Sequence, residues 1–193
     1  MQFTPCESVT EERISLIEGM SVDEVLTKVT GREEVSLRPH CHNRHQIIYV
    51  LSGTLHVETE KTSYFVTDRH LVWIPSGTQH RLSSNNRQIT LLTSYFSLEN
   101  QSAEEVTVYH TDELIARNLR FISTFPHLHK LQQPEIFSFA RSFFQMLPRI
   151  CQQATFSMQP FILAKDSLIL SEISDNSSYS NPSIILKNQF FIL

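Results

Sequence analysis

Between Val35 and His110 the apolar residues come in short bursts, and turn-forming residues interrupt them about every ten positions, the rhythm of half-buried strands in a sandwich or barrel. The bursts predict strands over Gln46–Leu51, Thr54–Glu60, Ser63–Thr67, His70–Ile74, Gln79–Leu82, Ile89–Phe96 and Val106–Tyr109. All are rich in the Ile, Val, Thr, Tyr and Phe that fit a pleated surface. Ser52-Gly53 reads as a tight turn between the first two, and Pro75-Ser76-Gly77 separates the fourth from the fifth.

After His110 the apolar period lengthens from two to about 3.6, which predicts helices. Thr111 stands where an N-cap belongs, before Asp112 and Glu113, whose charges suit the positive end of a helix dipole. This first helix spans Asp112–Ser123. A second runs Pro134–Leu147, with Pro134 in its first turn and Pro148 expected to end it. Ile136, Ala140, Phe143 and Leu147 line one face of the second helix, and Phe139 with its neighbouring phenylalanines widens that face. So broad an apolar stripe either packs on the β-domain or forms a seam with a second copy. A third helical pattern starts at Asp166 and stops before the polar run SDNSSYSNPS, after which the chain ends in IILKNQFFIL. The organisation expected is a β-barrel over 1–110, a helical segment over 111–165 and a short tail over 166–193.

At 193 residues the chain is long enough for one domain with an appendage. Its 16 Lys and Arg against 20 Asp and Glu leave a formal charge of −4, and the cations are scattered. No basic face for nucleic acid stands out, so DNA binding by this chain alone is not expected. Three cysteines, with no C-x-x-C spacing, argue against a disulfide framework and a cysteine-bound zinc, and fit a reducing compartment. The amino terminus has no signal-peptide pattern, and the longest apolar run is Ile47–Leu51, so a cytoplasmic protein without a membrane span is expected.

The segment RPHCHNRHQIIYVLSG places His40 and His42 two apart, with Gln46 at the same parity, so an extended chain points all three to one side. His80 follows the turn Ile74–Gly77. Histidines gathered from separate strands in this way can surround an open metal position. H-x-H-x-x-x-Q followed by I-P-x-G-x-x-H resembles the two motifs of the cupin superfamily, small double-stranded β-helix barrels with a ligand or metal inside. Metal-dependent cupins carry a Glu where Gln46 stands here. A neutral amide adds no charge to a cation site, so a metal-free barrel is the preferred reading, with a divalent metal on His40, His42 and His80 as the alternative.

RHQIIYVLSGTLHVET with HLVWIPSGTQHRL is similar, more narrowly, to the amino-terminal sensor domain of AraC/XylS-type transcriptional regulators, over about residues 35–165. The resemblance implies a small-molecule effector inside the barrel, a homodimer through the helices, and an amino-terminal arm over the mouth within Met1 to Ser15. DSLILSEISD looks like the start of the family's DNA-binding domain. No residues remain for a recognition helix, so the sequence resembles a regulator cut short or shifted out of frame, with DNA reached only through a longer relative. From strand parity and motif position, His42, Gln46, Ile48, Trp73 and His80 are the candidate ligand-binding residues. Ile136, Phe139, Ala140, Phe143 and Leu147 are the candidate dimer interface.

Each feature also has a plainer reading. The histidines also read as hydrogen-bonded polar groups at a barrel mouth, Trp73 as core, and the Phe-rich helix face as internal packing. His127 and His129 read as loop residues between helices, and Cys41 as a free thiol turned away from its histidine neighbours. Two other functions stay open: a metal-dependent cupin enzyme such as a dioxygenase or isomerase, and a stand-alone binding protein or dimerising inhibitor of a full-length regulator.

Overall fold

The computed structural model describes residues 7–32, 35–84, 88–99 and 105–154, with side chains from residue 12 onward except at Arg32. The third helical pattern and the tail over 166–193 lie outside these residues. The fold is mainly β and cupin-like. A seven-stranded antiparallel sheet has the order β10-β8-β5-β2-β7-β1-β9, and a three-stranded sheet the order β4-β3-β6. The strands are β1 (Glu24–Arg32), β2 (His45–Ser52), β3 (Thr54–Thr59), β4 (Ser63–Thr67), β5 (His70–Ile74), β6 (His80–Ser83), β7 (Ile89–Phe96), β8 (Thr107–His110), β9 (His127–His129) and β10 (Gln152–Gln153). Around them stand α1 (Glu7–Glu18), α2 (Glu113–Ser123) and α3 (Pro134–Ile150).

The large sheet is buried on both faces, and strand parity sorts its side chains. In the β2–β5 pairing Ile47 lies opposite Trp73, whereas Ile48 lies opposite Val72. Ile48, Val72 and Ile74 turn inward to meet Leu55, Val57, Val66 and Leu82 from the small sheet, which forms an aliphatic interior. Ile47, Tyr49, Leu71, Trp73, Leu92 and Phe96 turn outward to a second cluster, built with Ile115, Leu119 and Ile122 of α2 and Phe143, Phe144 and Leu147 of α3. Phe144 stacks on Phe96 with ring centroids 4.3 Å apart, and Trp73 meets Phe96 edge-on at 5.3 Å. Gly53 turns the chain from β2 into β3 with φ 89°, a left-handed conformation that glycine adopts without a Cβ penalty.

Several details depart from the expectations above. Asp112, not Thr111, caps α2: its carboxylate accepts from the Ile115 amide at 2.8 Å, while Thr111 donates instead to the Arg69 carbonyl. Pro148 does not end α3, which continues to Ile150, because a proline in the last turn forfeits one hydrogen bond near a helix end where partners are already few. His127–His129 is not a loop: it pairs with Glu24–Leu26 as β9. The two outermost strands of the large sheet therefore flank α3, with β9 before it and β10 after it. The strand β1 and the helix α1 were not anticipated by the apolar pattern. No helix among the described residues is long and apolar enough to cross a membrane.

Candidate functional site

The segment before β2 and the start of β6 meet at one end of the barrel, where His40 and His80 exchange backbone hydrogen bonds of 2.9 Å each. This places the three histidines of the motif together. Ring centroids are 4.3 Å apart for His40–His80, 5.2 Å for His42–His80 and 6.1 Å for His40–His42. Each ring is oriented by its own strand. Nδ1 of His40 lies 2.8 Å from the Arg38 carbonyl, Nδ1 of His42 2.9 Å from that of Arg44, and Nδ1 of His80 2.8 Å from that of Thr78. A carbonyl only accepts, so Nδ1 of His40 and of His80 carries the hydrogen and a neutral ring there keeps its Nε2 lone pair available, whereas His42 Nε2 is engaged by the Gln46 side chain.

His80 Nε2 is buried without a partner among the described residues. Burial pulls the His80 pKa down to about 3, with the neighbouring His40 and His42 adding to the effect, while the Thr78 carbonyl opposes it. Burial likewise lowers His40. One ring nitrogen of each histidine lies within 4.8 Å of the others, and the set could hold a metal ion. An orphaned, unprotonated imidazole nitrogen in a three-histidine cluster fits such an ion chemically.

Gln46 joins this cluster from β2. Its side-chain amide lies 3.0 Å from His42 Nε2 and 3.2 Å from the Tyr95 hydroxyl. The Gln46 side-chain oxygen faces His42 Nε2, and the Gln46 N–H donates to the Tyr95 hydroxyl. Gln46 is thus engaged by protein neighbours through both its oxygen and its nitrogen, and it offers a metal no negative charge. Tyr95 is pushed up to about 12 by burial, against the pull of the nearby Arg13 guanidinium, and so stays a neutral phenol.

Of the candidate ligand-binding residues, His42, Gln46 and His80 come together, and Ile48 lies further along the same interior face. The cavity beside Ile48 and Gln46 is only about 50 Å³, too small for an effector. Trp73 does not share this face. Parity turns it outward under the helices, where it is fully buried against Phe96 and lies at a tilt to His45, ring centroids 5.7 Å apart. It is core. The expected dimer residues are likewise corrected in part: Ala140, Phe143 and Leu147 are already covered by the protein's own sheet, and Ile136 packs against the same cluster. Phe139 is exposed and sits with Phe121, ring centroids 5.9 Å apart, on the outer surface of the two helices.

A larger space lies where sequence reasoning did not look. A cavity of about 520 Å³ lies between α1 and one face of β1 and β7, lined by Arg13, Leu16, Ile17, Leu26, Lys28 and Tyr95 among others. Arg13 and Tyr95 also line the 50 Å³ interior cavity, so the two spaces meet at their side chains. The turn after α1 is fixed by the buried Arg44, which donates to the Met20 carbonyl and to the Asn43 carbonyl and side chain. The signal for this cavity was β1 itself, EVLTKVTGR, whose cavity side carries Lys28 and Thr30 where a core strand would carry aliphatics. Cys41 is free and exposed.

Residues 28–94 match the family model described as Cupin domain, a stretch that reaches from β1 into β7. Among curated proteins none matches the sequence. Among solved structures, unsaturated fatty acid-bound ToxT from Vibrio cholerae is similar with a TM-score of 0.47 and 11% identity, over 63% of this chain and 52% of that one. The chain thus spans about half the length of that structure. An RmlC-like cupin from Shewanella frigidimarina aligns with a TM-score of 0.36 and 16% identity, over 40% of this chain and 70% of its own. A Ralstonia eutropha protein provisionally described as a mannose-6-phosphate isomerase gives 0.35 and 12%, over 38% and 75%. By sequence match and by architecture alike, the barrel of this chain is cupin-like.

Proposed function

We propose that this chain is the ligand-sensing and dimerisation portion of a transcriptional regulator of the AraC/XylS type, with the barrel as sensor, the segment 111–165 as dimerisation element and 166–193 as a remnant of the DNA-binding part. The observation that carries the reading is the 520 Å³ cavity roofed by α1. Its volume suits a small molecule, and its roof is a separate element that an occupant can hold in place. The effector seat is therefore placed beneath α1, with Gln46 and His42 reached through Tyr95, not in the filled interior around Ile48. Two protomers are proposed to meet through the exposed outer surface of α2 and α3, where Phe121 and Phe139 cluster and Met146 and Ile150 are also exposed.

Size-exclusion chromatography with light scattering on the full chain tests the dimer. A mass twice that of the chain, falling to one in Phe121→Glu combined with Phe139→Glu, is the expected result. A monomer at micromolar concentration removes the dimerisation half of the proposal. A mobility-shift assay with salt-dependent, sequence-selective binding by this chain would show that DNA needs no longer relative.

A second reading, a metal-dependent cupin enzyme, is favoured by one observation, the orphaned His80 Nε2 in the three-histidine cluster. His40, His42 and His80 would hold the ion, and a divalent metal there supplies Lewis-acid polarisation or activation of water. Metal analysis of the purified protein decides: about one ion per chain, lost on His42→Ala, supports it, and metal-free protein of normal stability removes it.

A further inference from the structure

A second pair of histidines stands at the other end of the barrel. His70 opens β5 and His110 closes β8, and the two lie directly opposite one another in the antiparallel ladder. Strand parity puts them on the inner side, in line with Val72 and Val108, whereas Gln46 and the three-histidine cluster stand at the Ile74 end of β5. Four residues of strand, roughly 13 Å, and an aliphatic interior separate the two groups. Nδ1 of His70 lies 2.9 Å from the Asp68 carbonyl, with the Thr67 hydroxyl at 3.2 Å. The carbonyl only accepts, so Nδ1 carries the hydrogen and a neutral ring keeps its Nε2 lone pair. Among the described residues none hydrogen-bonds that Nε2 or the ring of His110, and neither histidine has a carboxylate partner. The backbone around them is held on both sides. Thr111 donates its amide and its hydroxyl to the Arg69 carbonyl at 2.8 Å each, and β10 pairs with His110 from the far side.

The two imidazole centroids are 4.4 Å apart, and the pair is open to solvent, with His110 exposed and His70 partly so. A metal bonded to an imidazole nitrogen at about 2.1 Å lies roughly 3.2 Å from the centre of that ring. Two rings at a right angle about one ion therefore have centres about 4.5 Å apart, and two at the tetrahedral angle about 5.2 Å. The observed separation matches the right angle. We infer that His70 and His110 form a two-imidazole site for one divalent transition-metal ion that takes nitrogen donors at right angles, nickel(II) or copper(II), with water in its remaining positions. The Asp68 carbonyl on His70 Nδ1 supplies the support that fixes a ligating ring and its tautomer. This site is separate from the His40, His42 and His80 cluster and goes beyond the sensing reading. A bound ion ties β5 to β8 two residues before the Asp112 cap, and so stabilises the junction where the barrel leads into α2.

Calorimetric titration of the full, tag-free chain with nickel(II) at about pH 8, where an ordinary imidazole is neutral, tests the inference. One equivalent of nickel(II) is expected to survive His42→Ala, which breaks up the other histidine cluster, and to be lost in His70→Ala combined with His110→Ala. His110→Gln, a single change at an exposed position, should weaken that equivalent by about tenfold or more. In the parent protein, paramagnetic broadening of amide resonances should centre on His70 and His110. Zinc(II), which prefers the tetrahedral angle, should bind this pair more weakly than nickel(II). With chelator present, parent and double variant should share one urea midpoint, and nickel(II) should raise the parent's further than the variant's. Nickel(II) binding unchanged in His110→Gln, or broadening centred on His40 and His80 alone, would overturn the site. Zinc(II) bound as tightly as nickel(II) would overturn the right-angle assignment. A parent chain that takes up no nickel(II) at millimolar concentration would remove the inference and leave the sensing reading standing.

Discussion

The two faces of the seven-stranded sheet are built differently. The outer face is closed by Trp73, Phe96, Phe143 and Phe144 beneath two helices, a cluster with aromatic rings in mutual contact. The inner face is lined by Val, Leu and Ile, carries the histidine cluster at one end, and extends under α1 into a cavity. Large rings fill volume and bind the helices to the sheet. Small branched side chains keep the barrel narrow, so polar chemistry and open space are confined to its rim. The same strands thus hold the protein together with one set of alternate residues and present a site with the other.

The outer face should be the more sensitive to substitution. Phe144→Ala removes a fully buried ring that stacks on Phe96 and should cost about 3–5 kcal/mol, read as a lower urea midpoint with unchanged slope. A loss below about 1 kcal/mol would mean that the aromatic face does not carry the fold. At the rim, His80 is neutral in the folded protein down to about 3 whereas an unfolded histidine titrates near 6.5. The unfolded chain therefore binds more protons in that window, so stability should fall as pH drops from 6.5 towards 3 and be complete above it. Urea midpoints at successive pH values should show that slope, and His80→Gln should flatten it by up to one proton.

A milder change sharpens the contrast in chemistry. Gln46→Glu adds the charge the histidine cluster lacks, and zinc retention after gel filtration should rise by about tenfold or more relative to the parent protein. Unchanged retention would indicate that ring geometry, not missing charge, limits the cluster. On the inner face Ile48→Val should cost only about 0.5–1.5 kcal/mol. The exposed Leu131→Ser should stay within about 0.5 kcal/mol, since it removes no packed contact.

The strands from β2 to β8 were legible because their apolar residues recur with turns between them; β4, β5 and β7 agree with the expected limits, and the rest shift by a residue or two at their ends. Trp73 was misplaced for a physical reason. In HLVWI both faces are buried, so every residue after the histidine is apolar and alternation gives no sign of which side faces a ligand. The face of α3 carried the opposite difficulty. Its apolar stripe is real, yet an intramolecular sheet and a second protomer demand the same pattern from Ala140, Phe143 and Leu147. The strand β1 and the helix α1 escaped notice because Lys28 and Thr30 face a cavity and α1 segregates its apolar residues weakly. His40, His42 and Gln46 were legible from their shared parity on an extended chain, and His80 from its place after the Ile74–Gly77 turn in the second motif.

The placement of β9 and β10 on either flank of α3 has a consequence for the protein in a crowded solution. At 17 residues α3 is roughly 25 Å long, close to the roughly 29 Å that separates the first and last of seven hydrogen-bonded strands. The helix acts as a strap laid across the back of the sheet and stitched down at both margins. Those margins are strands of only three and two residues. A long open margin would invite another chain to add itself and start a fibre; β10 offers an incoming strand almost no ladder to extend, and β9 covers the Glu24–Leu26 stretch of β1.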